Sequence, residues 1–189
     1  MIDAKETAAA LYGLWRLVRG DDSCFDYFSN SEAGFWRSFI AAAVLAPLQA
    51  LYQLTLYLSA ETPPPLFRLT VVELLEYVIL WLLYPVVMLS VVQLLDRDER
   101  YFRYMTTYNW FQMGVGLIVL PIAILSGFGL MPDGLGGVFD SITFVMYIVY
   151  AIFIARGALD LTVGAGCAIV LLDIVLTLIV GQITLRMLT

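Results

Sequence analysis

The sequence predicts an all-α membrane bundle of five spanning helices preceded by an amphipathic helix. Three observations predict it: an apolar excess, five apolar stretches of crossing length, and basic residues segregated by connecting segment. Of 189 residues, 61% are hydrophobic and 14% charged, against roughly 25% charged in an ordinary soluble domain. A soluble fold of this size exposes too much surface to hide that excess, whereas lipid accommodates it. The chain divides into residues 1–34, an N-terminal helix and connector, and residues 35–189, the five-helix domain.

Residues 2–19 read as the amphipathic helix. Leu11, Leu14, Trp15 and Val18 recur with helical spacing, and Lys5, Arg16 and Arg19 occupy the other side. Such a helix lies in the headgroup plane or packs on the membrane domain's own cytoplasmic face. Asp21 to Ser31 is a polar connector, with Asn30 or Ser31 as a helix cap and Glu32 in the following first turn. No cleavable signal peptide is evident, because Arg16 and Arg19 interrupt the apolar run from Ala8 to Trp15.

The five predicted spans cover residues 35–59, 71–95, 108–125, 138–154 and 161–185. Each falls in the range of about 17–25 residues that crosses a bilayer. Between them, Pro63-Pro64-Pro65 cannot continue a helix. Residues 96–107 form a charged loop, and residues 127–137 hold five glycines, Pro132 and Asp133. A short polar link closes the series at Arg156 to Asp160. Pro47, Pro85 and Pro121 fall inside spans, where they kink helices. Ala42, Ala46 and Ala50, and Gly164 with Ala168, are small-residue faces for close helix packing, within the chain or between copies in a homo-oligomer.

Orientation follows from the basic residues. Lys5, Arg16, Arg19, Arg37, Arg97, Arg100, Arg103 and Arg156 share one side of a five-span arrangement; only Arg68 and Arg186 lie on the other. The positive-inside rule then places the N-terminus in the cytoplasm and the C-terminus outside. Nine arginines against one lysine is a bias of GC-rich bacterial genomes, which makes the expected location a cell inner (plasma) membrane. The formal net charge of −6 has little weight beside this segregation, and no basic tract of the nucleic-acid-binding kind occurs.

The absence of histidine excludes His-based catalysis and His-ligated metal or haem. Cys24 and Cys167 read as free thiols, too few for a structural zinc site, and no phosphate-binding glycine loop is found. No cofactor and no metal are therefore expected. Asp173 is the most informative residue. It lies about mid-bilayer in the fifth span, where a carboxylate costs at least ~2.5–3.5 kcal/mol unless paired or protonated. It reads as a proton or cation site, as an anchor for a partner helix, or as an internal hydrogen-bond acceptor. Glu73 and Glu76, three residues apart on one face of the second span, read as a cation or proton site near its outer end, or as a helix end reaching headgroups. Arg97, Arg100, Arg103 and Trp110, amid Tyr101, Phe102, Tyr104 and Tyr108, read as an interfacial belt or as a docking site for acidic lipid or a partner.

Tyr84-Pro85 late in the second span, the charged loop after it, and Tyr108-Asn109-Trp110 opening the third, with the span count and orientation, resemble the Yip-domain family of five-helix membrane proteins. The likeness covers residues 35–185. Eukaryotic members carry a Leu-Tyr-Gly-Pro signature before the first span; here Leu11-Tyr12-Gly13 is followed by Leu14 and lies further upstream. The resemblance implies a fold more than a function; in the family that function is membrane trafficking and small-GTPase interaction. The leading expectation is a non-enzymatic scaffold, organiser or partner-binding subunit. Its cytoplasmic interaction face would be the N-terminal helix with the 96–107 loop, bearing Arg16, Arg19, Arg97, Arg100, Arg103 and Trp110. The alternative is a small transporter or ion-coupled subunit using Asp173, with Glu73 and Glu76 near the outer mouth. A carboxylate-dependent membrane enzyme is the third class.

Overall fold

The computed structural model describes residues 4–132 and 134–188; residues 2 and 3 of the first predicted helix, and Asp133, lie outside them. Every regular element among the described residues is helical. They are α1 (Ala4–Val18), a 3-10 turn (Asp22–Tyr27), α2 (Glu32–Ser38), α3 (Ile40–Ser59) and α4 (Leu66–Leu94). A second 3-10 turn (Asp98–Arg100) leads into α5 (Tyr101–Gly127), followed by α6 (Leu135–Leu159) and α7 (Val163–Leu188). Five helical segments are long and apolar enough to cross a membrane: Glu32–Ser59, Leu66–Leu94, Asp98–Gly127, Leu135–Leu159 and Val163–Leu188. Their outer surface is a band of exposed Leu, Ile, Val and Phe, including Leu74, Val86, Ile142, Phe144 and Leu171. Water would not tolerate such a surface on a monomer, and hydrocarbon does.

α5 sits at the centre, packed on α3, α6, α1 and α2, while α7 closes the bundle between α6 and α4. α3 and α4 barely touch, apart from the Tyr77 hydroxyl donating to the Ala42 carbonyl at 2.6 Å. This leaves a cleft between two consecutive helices. The helices run through Pro47, Pro85 and Pro121 without ending. Tyr101 donates to the carbonyl of Pro85 at 3.1 Å, tying α5 to α4 beside its proline.

The first span breaks at Phe39, which ends α2 and starts α3. Asn109 on α5 donates to Ser38 Oγ at 2.8 Å, and Ser38 donates back to the Phe35 carbonyl at 2.7 Å, so this joint is held from the side. Of the two candidate caps, Ser31 is the one that accepts from the Gly34 amide, at 3.1 Å. Asn30 instead reaches across the chain: it donates to the Glu99 carbonyl at 3.1 Å and accepts from the Arg103 amide at 3.0 Å. It thus satisfies an orphan donor in the first turn of α5.

The largest departure from the sequence reading lies in residues 96–107. They are not a charged loop: only 95–97 are irregular before the 3-10 turn, and α5 begins at Tyr101. Its first half is buried nearly all round, from Tyr104 to Phe111 without interruption. The burying surface is the N-terminal segment. Leu17, Cys24, Phe25 and Phe35 share one core with Tyr101, Tyr104, Met105 and Tyr108 of α5, and with Ile154, Ala155 and Leu159 of α6. A helix that is apolar and aromatic on every side needs neighbours on every side, and lipid supplies none at this end.

Within that segment, Arg16 clamps Asp21 through Nε at 2.8 Å and also donates to the Tyr27 hydroxyl at 3.1 Å. Hydrogen bonds from Ser23 and then Arg16 hold the Asp21 carboxyl down to about 2. Cys24 is fully buried; burial, and secondarily the charges of Asp21 and Asp22, push its thiol up to about 12. Both cysteines are free, Cys24 inside and Cys167 exposed on α7.

Candidate functional site

Four apolar helices each carry a polar pair one turn apart, and the fold turns all four pairs toward one space. They are Gln49 and Gln53 on α3, Glu73 and Tyr77 on α4, Tyr108 and Gln112 on α5, and Asp173 and Thr177 on α7. Residues four apart share a helix face, and helix rotation in the bundle decides where that face points. The cavity they line is about 400 Å³, partly open, and also receives Glu76, Trp81, Tyr84 and Asn109. Among the described residues, no lysine or arginine lines it. A second cavity of about 390 Å³ lies in the cleft between α3 and α4 and shares Gln49, Gln53, Glu73 and Tyr77 with the first. The two cavities therefore adjoin, with these four side chains between them.

Asp173 is 5% exposed. Its carboxylate accepts from Tyr108 at 3.0 Å and, by a short contact, from the Tyr147 hydroxyl on α6. Gln112 in turn donates to the Tyr108 hydroxyl at 2.7 Å, so Tyr108 is oriented to give its own proton to Asp173. The Tyr84 ring lies tilted with its centroid 4.5 Å from that of Tyr108, and its hydroxyl makes a short contact with that of Tyr104. An ionised carboxylate has about four acceptor positions, so two phenols leave capacity facing the cavity. Asp173 is thus an internal hydrogen-bond acceptor, one of the readings open from sequence, and it also lines the cavity.

Glu73 and Glu76 are half-buried on the same cavity, toward the end away from α1. Glu73 faces Gln53 of α3 as well as Glu76, and Glu76 faces Thr184 of α7. The Glu76 carboxyl reaches α7 near Gly181, where a Cβ would stand 3.8 Å from Oε1, an ordinary contact distance. The three acidic residues singled out from sequence therefore meet in one space. The tyrosines and glutamines that complete it were visible only as one-turn polar pairs inside apolar spans.

The residues assigned to the arginine-rich face divide differently. Arg19 lies 3.6 Å over the Trp15 ring, and Arg16 is engaged with Asp21. Arg100 pairs with Asp160 at 3.4 Å and with Glu99 at 3.8 Å, and Arg97 donates to the Asp96 carbonyl at 3.0 Å. Arg103 is half-buried on the first turn of α5. Trp110 does not belong to this face. It is 5% exposed, packed among Ala10, Phe28, Ala41 and Leu45, because α1 and the connector cover the side of α5 on which it lies.

α1 presents two different stripes. Ala10, Gly13 and Leu17 are buried against the bundle, while Leu11, Trp15 and Val18 are about half exposed or more. The exposed stripe coincides largely with the apolar face read from the sequence; small residues made the other stripe invisible. Among the described residues, no group of three or more acidic or cysteine side chains converges closely enough to hold a metal ion. No family model, curated protein or solved structure matches this chain.

Proposed function

We propose that this chain binds a cation within the membrane and carries it across. The observation that carries the reading is a charge imbalance: Glu73, Glu76 and Asp173 line one cavity, and no basic side chain lines it. Carboxylates at such depth are stable only when paired or protonated. With no fixed partner in the wall, the compensating charge is mobile. The adjoining cavity in the α3–α4 cleft offers a route once the side chains between the two move, and the phenols of Tyr108 and Tyr147 hold Asp173 in place while leaving it able to exchange its counter-ion. The chemistry is recognition and exchange, with no bond made or broken. Measured in proteoliposomes, Asp173→Asn is expected to lower cation-coupled flux at least tenfold with folding retained by thermal melting. Flux equal to that of the unmodified protein would remove Asp173 from the mechanism and the reading with it.

The proposal keeps the cytoplasmic N-terminus, from the eight-to-two division of basic residues, in a plasma membrane. Yip-like architecture remains part of it on topology alone. The scaffold reading keeps one specific support, the exposed Leu11, Trp15 and Val18 stripe with Arg19 stacked on Trp15. A stripe of this composition suits the headgroup boundary, with arginine toward lipid phosphate. Leu11→Glu with Trp15→Glu is expected to leave cation flux within about twofold while accelerating trypsin cleavage after Arg16 and Arg19 in proteoliposomes, because the exposed stripe no longer rests in the headgroups. An unchanged cleavage rate would count against an interfacial α1.

A further inference from the structure

We infer that the cation is lipophilic, an ammonium head on an apolar chain, taken from the bilayer through the α3–α4 cleft; this rests on the cation-binding reading above and names its substrate class. Helices joined by a short connection ordinarily pack as antiparallel neighbours. α3 and α4, joined by residues 60–65, barely touch, and a cavity of about 390 Å³ lies in the gap. Each helix lays one stripe into it at three- and four-residue spacing. From α3 come Ala46, Ala50, Gln53 and Tyr57; from α4 come Leu66, Thr70, Glu73 and Tyr77. Ala46 and Ala50 contribute only a methyl each, which leaves the space unfilled. All the residues lining the cleft belong to α3 or α4, so among the described residues no third helix roofs it. Its rim lies on the outer surface of the bundle: Leu54 is 43%, Leu66 57% and Leu74 61% exposed. The open side of the cleft therefore faces hydrocarbon.

That position selects what can enter. An inorganic ion would have to shed its water in lipid before reaching the cleft, which is prohibitive. A ligand arriving by this side is already dissolved in the bilayer, and the walls define its two parts. Among the described residues, Glu73 is the one charged side chain lining the cleft. The Tyr77 hydroxyl is spent on the Ala42 carbonyl at 2.6 Å, and the Thr70 hydroxyl on the Leu66 carbonyl at 2.9 Å. The Glu73 carboxylate and the amide oxygens of Gln49 and Gln53 supply acceptors at the boundary with the main cavity. An ammonium has three donors and no acceptor, and its hydrogen bond to a carboxylate is of the strong, charge-assisted kind. Leu54, Leu66, Leu69 and Leu74 lie on the same cleft and suit an apolar chain, not a second charge. The volume falls within the range of about 300–1,000 Å³ typical of small-molecule pockets. A cationic amphiphile satisfies the lipid-facing entrance and the acidic inner edge together.

The test is photolabelling of the full-length protein in proteoliposomes with decylamine carrying a mid-chain diazirine, against decanol carrying the same group. The expected result is amine label on residues 46–57 and 66–77 at least tenfold above that on the exposed Ile142, Val145 and Val149 of α6. Decanol should spread evenly over both regions. Glu73→Gln should reduce the amine to the alcohol's pattern. Ala46→Leu with Ala50→Leu fills the cleft without touching its charge, and should lower label there to the α6 level with thermal melting retained. An alcohol that labels the cleft as heavily as the amine would overturn the inference, as would cleft labelling that survives either variant. Even amine labelling, beside a rubidium flux that Asp173→Asn lowers, would overturn the lipophilic cation and leave the cation reading standing. Even amine labelling with a flux that Asp173→Asn does not change would remove both.

Discussion

Gly157→Leu is expected to unseat the N-terminal segment and to be the most destabilising single substitution considered. Gly157 lies on α6 under the first 3-10 turn, and a Cβ there would stand 2.1 Å from Phe25 Cε2 and 2.5 Å from its Cζ. Phe25 cannot yield. Its ring is 6% exposed, tilted against Phe153 at 5.6 Å, and enclosed with Leu17, Cys24, Tyr101 and Ala158 in the main core. A leucine adds four carbons where none fits, and overpacking of this kind costs about 1–3 kcal/mol or more. The relevant observable is local, because α1 and its turn can lift while the spanning helices stay paired. Trypsin cleavage after Arg16 and Arg19 is expected to accelerate at least tenfold, together with a lower melting temperature in detergent. Gly137, near the start of the same helix, has nothing within 4 Å of its would-be Cβ. Gly137→Leu should therefore change neither measurement. Equal cleavage rates for the two variants would mean that Phe25 does not hold the segment down.

Gln53→Lys addresses the charge imbalance from the opposite direction, by supplying a fixed cation. Gln53 faces Glu73 across the α3–α4 cleft and lines both cavities. An ammonium at that position pairs with Glu73 and crowds Glu76, replacing the mobile counter-ion with one tethered to the wall. Cation flux is expected to fall at least tenfold, which is about 1.4 kcal/mol or more of lost site occupancy. Thermal stability should be equal to the parent or higher, since buried carboxylates gain a permanent partner. Gln53→Met removes the amide without adding charge and should leave flux within about threefold. If the lysine variant transports normally, mobile charge does not neutralise this cavity, and the proposed function fails at its central premise.

The legible part of the fold was the part written in local composition. Five segments apolar enough to span lipid follow from summed transfer free energies, which neighbours hardly alter, and the Pro63–Pro65 and Pro132 breaks follow from backbone chemistry. Their ends were less legible. α4 begins at Leu66 and α5 at Tyr101, each earlier than their hydropathy, because helix ends outside the hydrocarbon are decided by packing partners. Trp110 illustrates the same limit. Aromatic residues near a span end belong to the interface when lipid is their neighbour, and here α1 is.

By itself, the sequence determined five helices long and apolar enough to span a membrane, with Asp173 near the middle of the last and Glu73 and Glu76 toward one end of the second. Only the tertiary structure decided that those carboxylates face one another's cavity. Asp173 and Glu73 are a hundred positions apart, and their sharing one cavity depends on the packing of α4 on α7 and on the gap between α3 and α4. Hydropathy is a property of each helix taken alone, whereas convergence is a property of how helices pack.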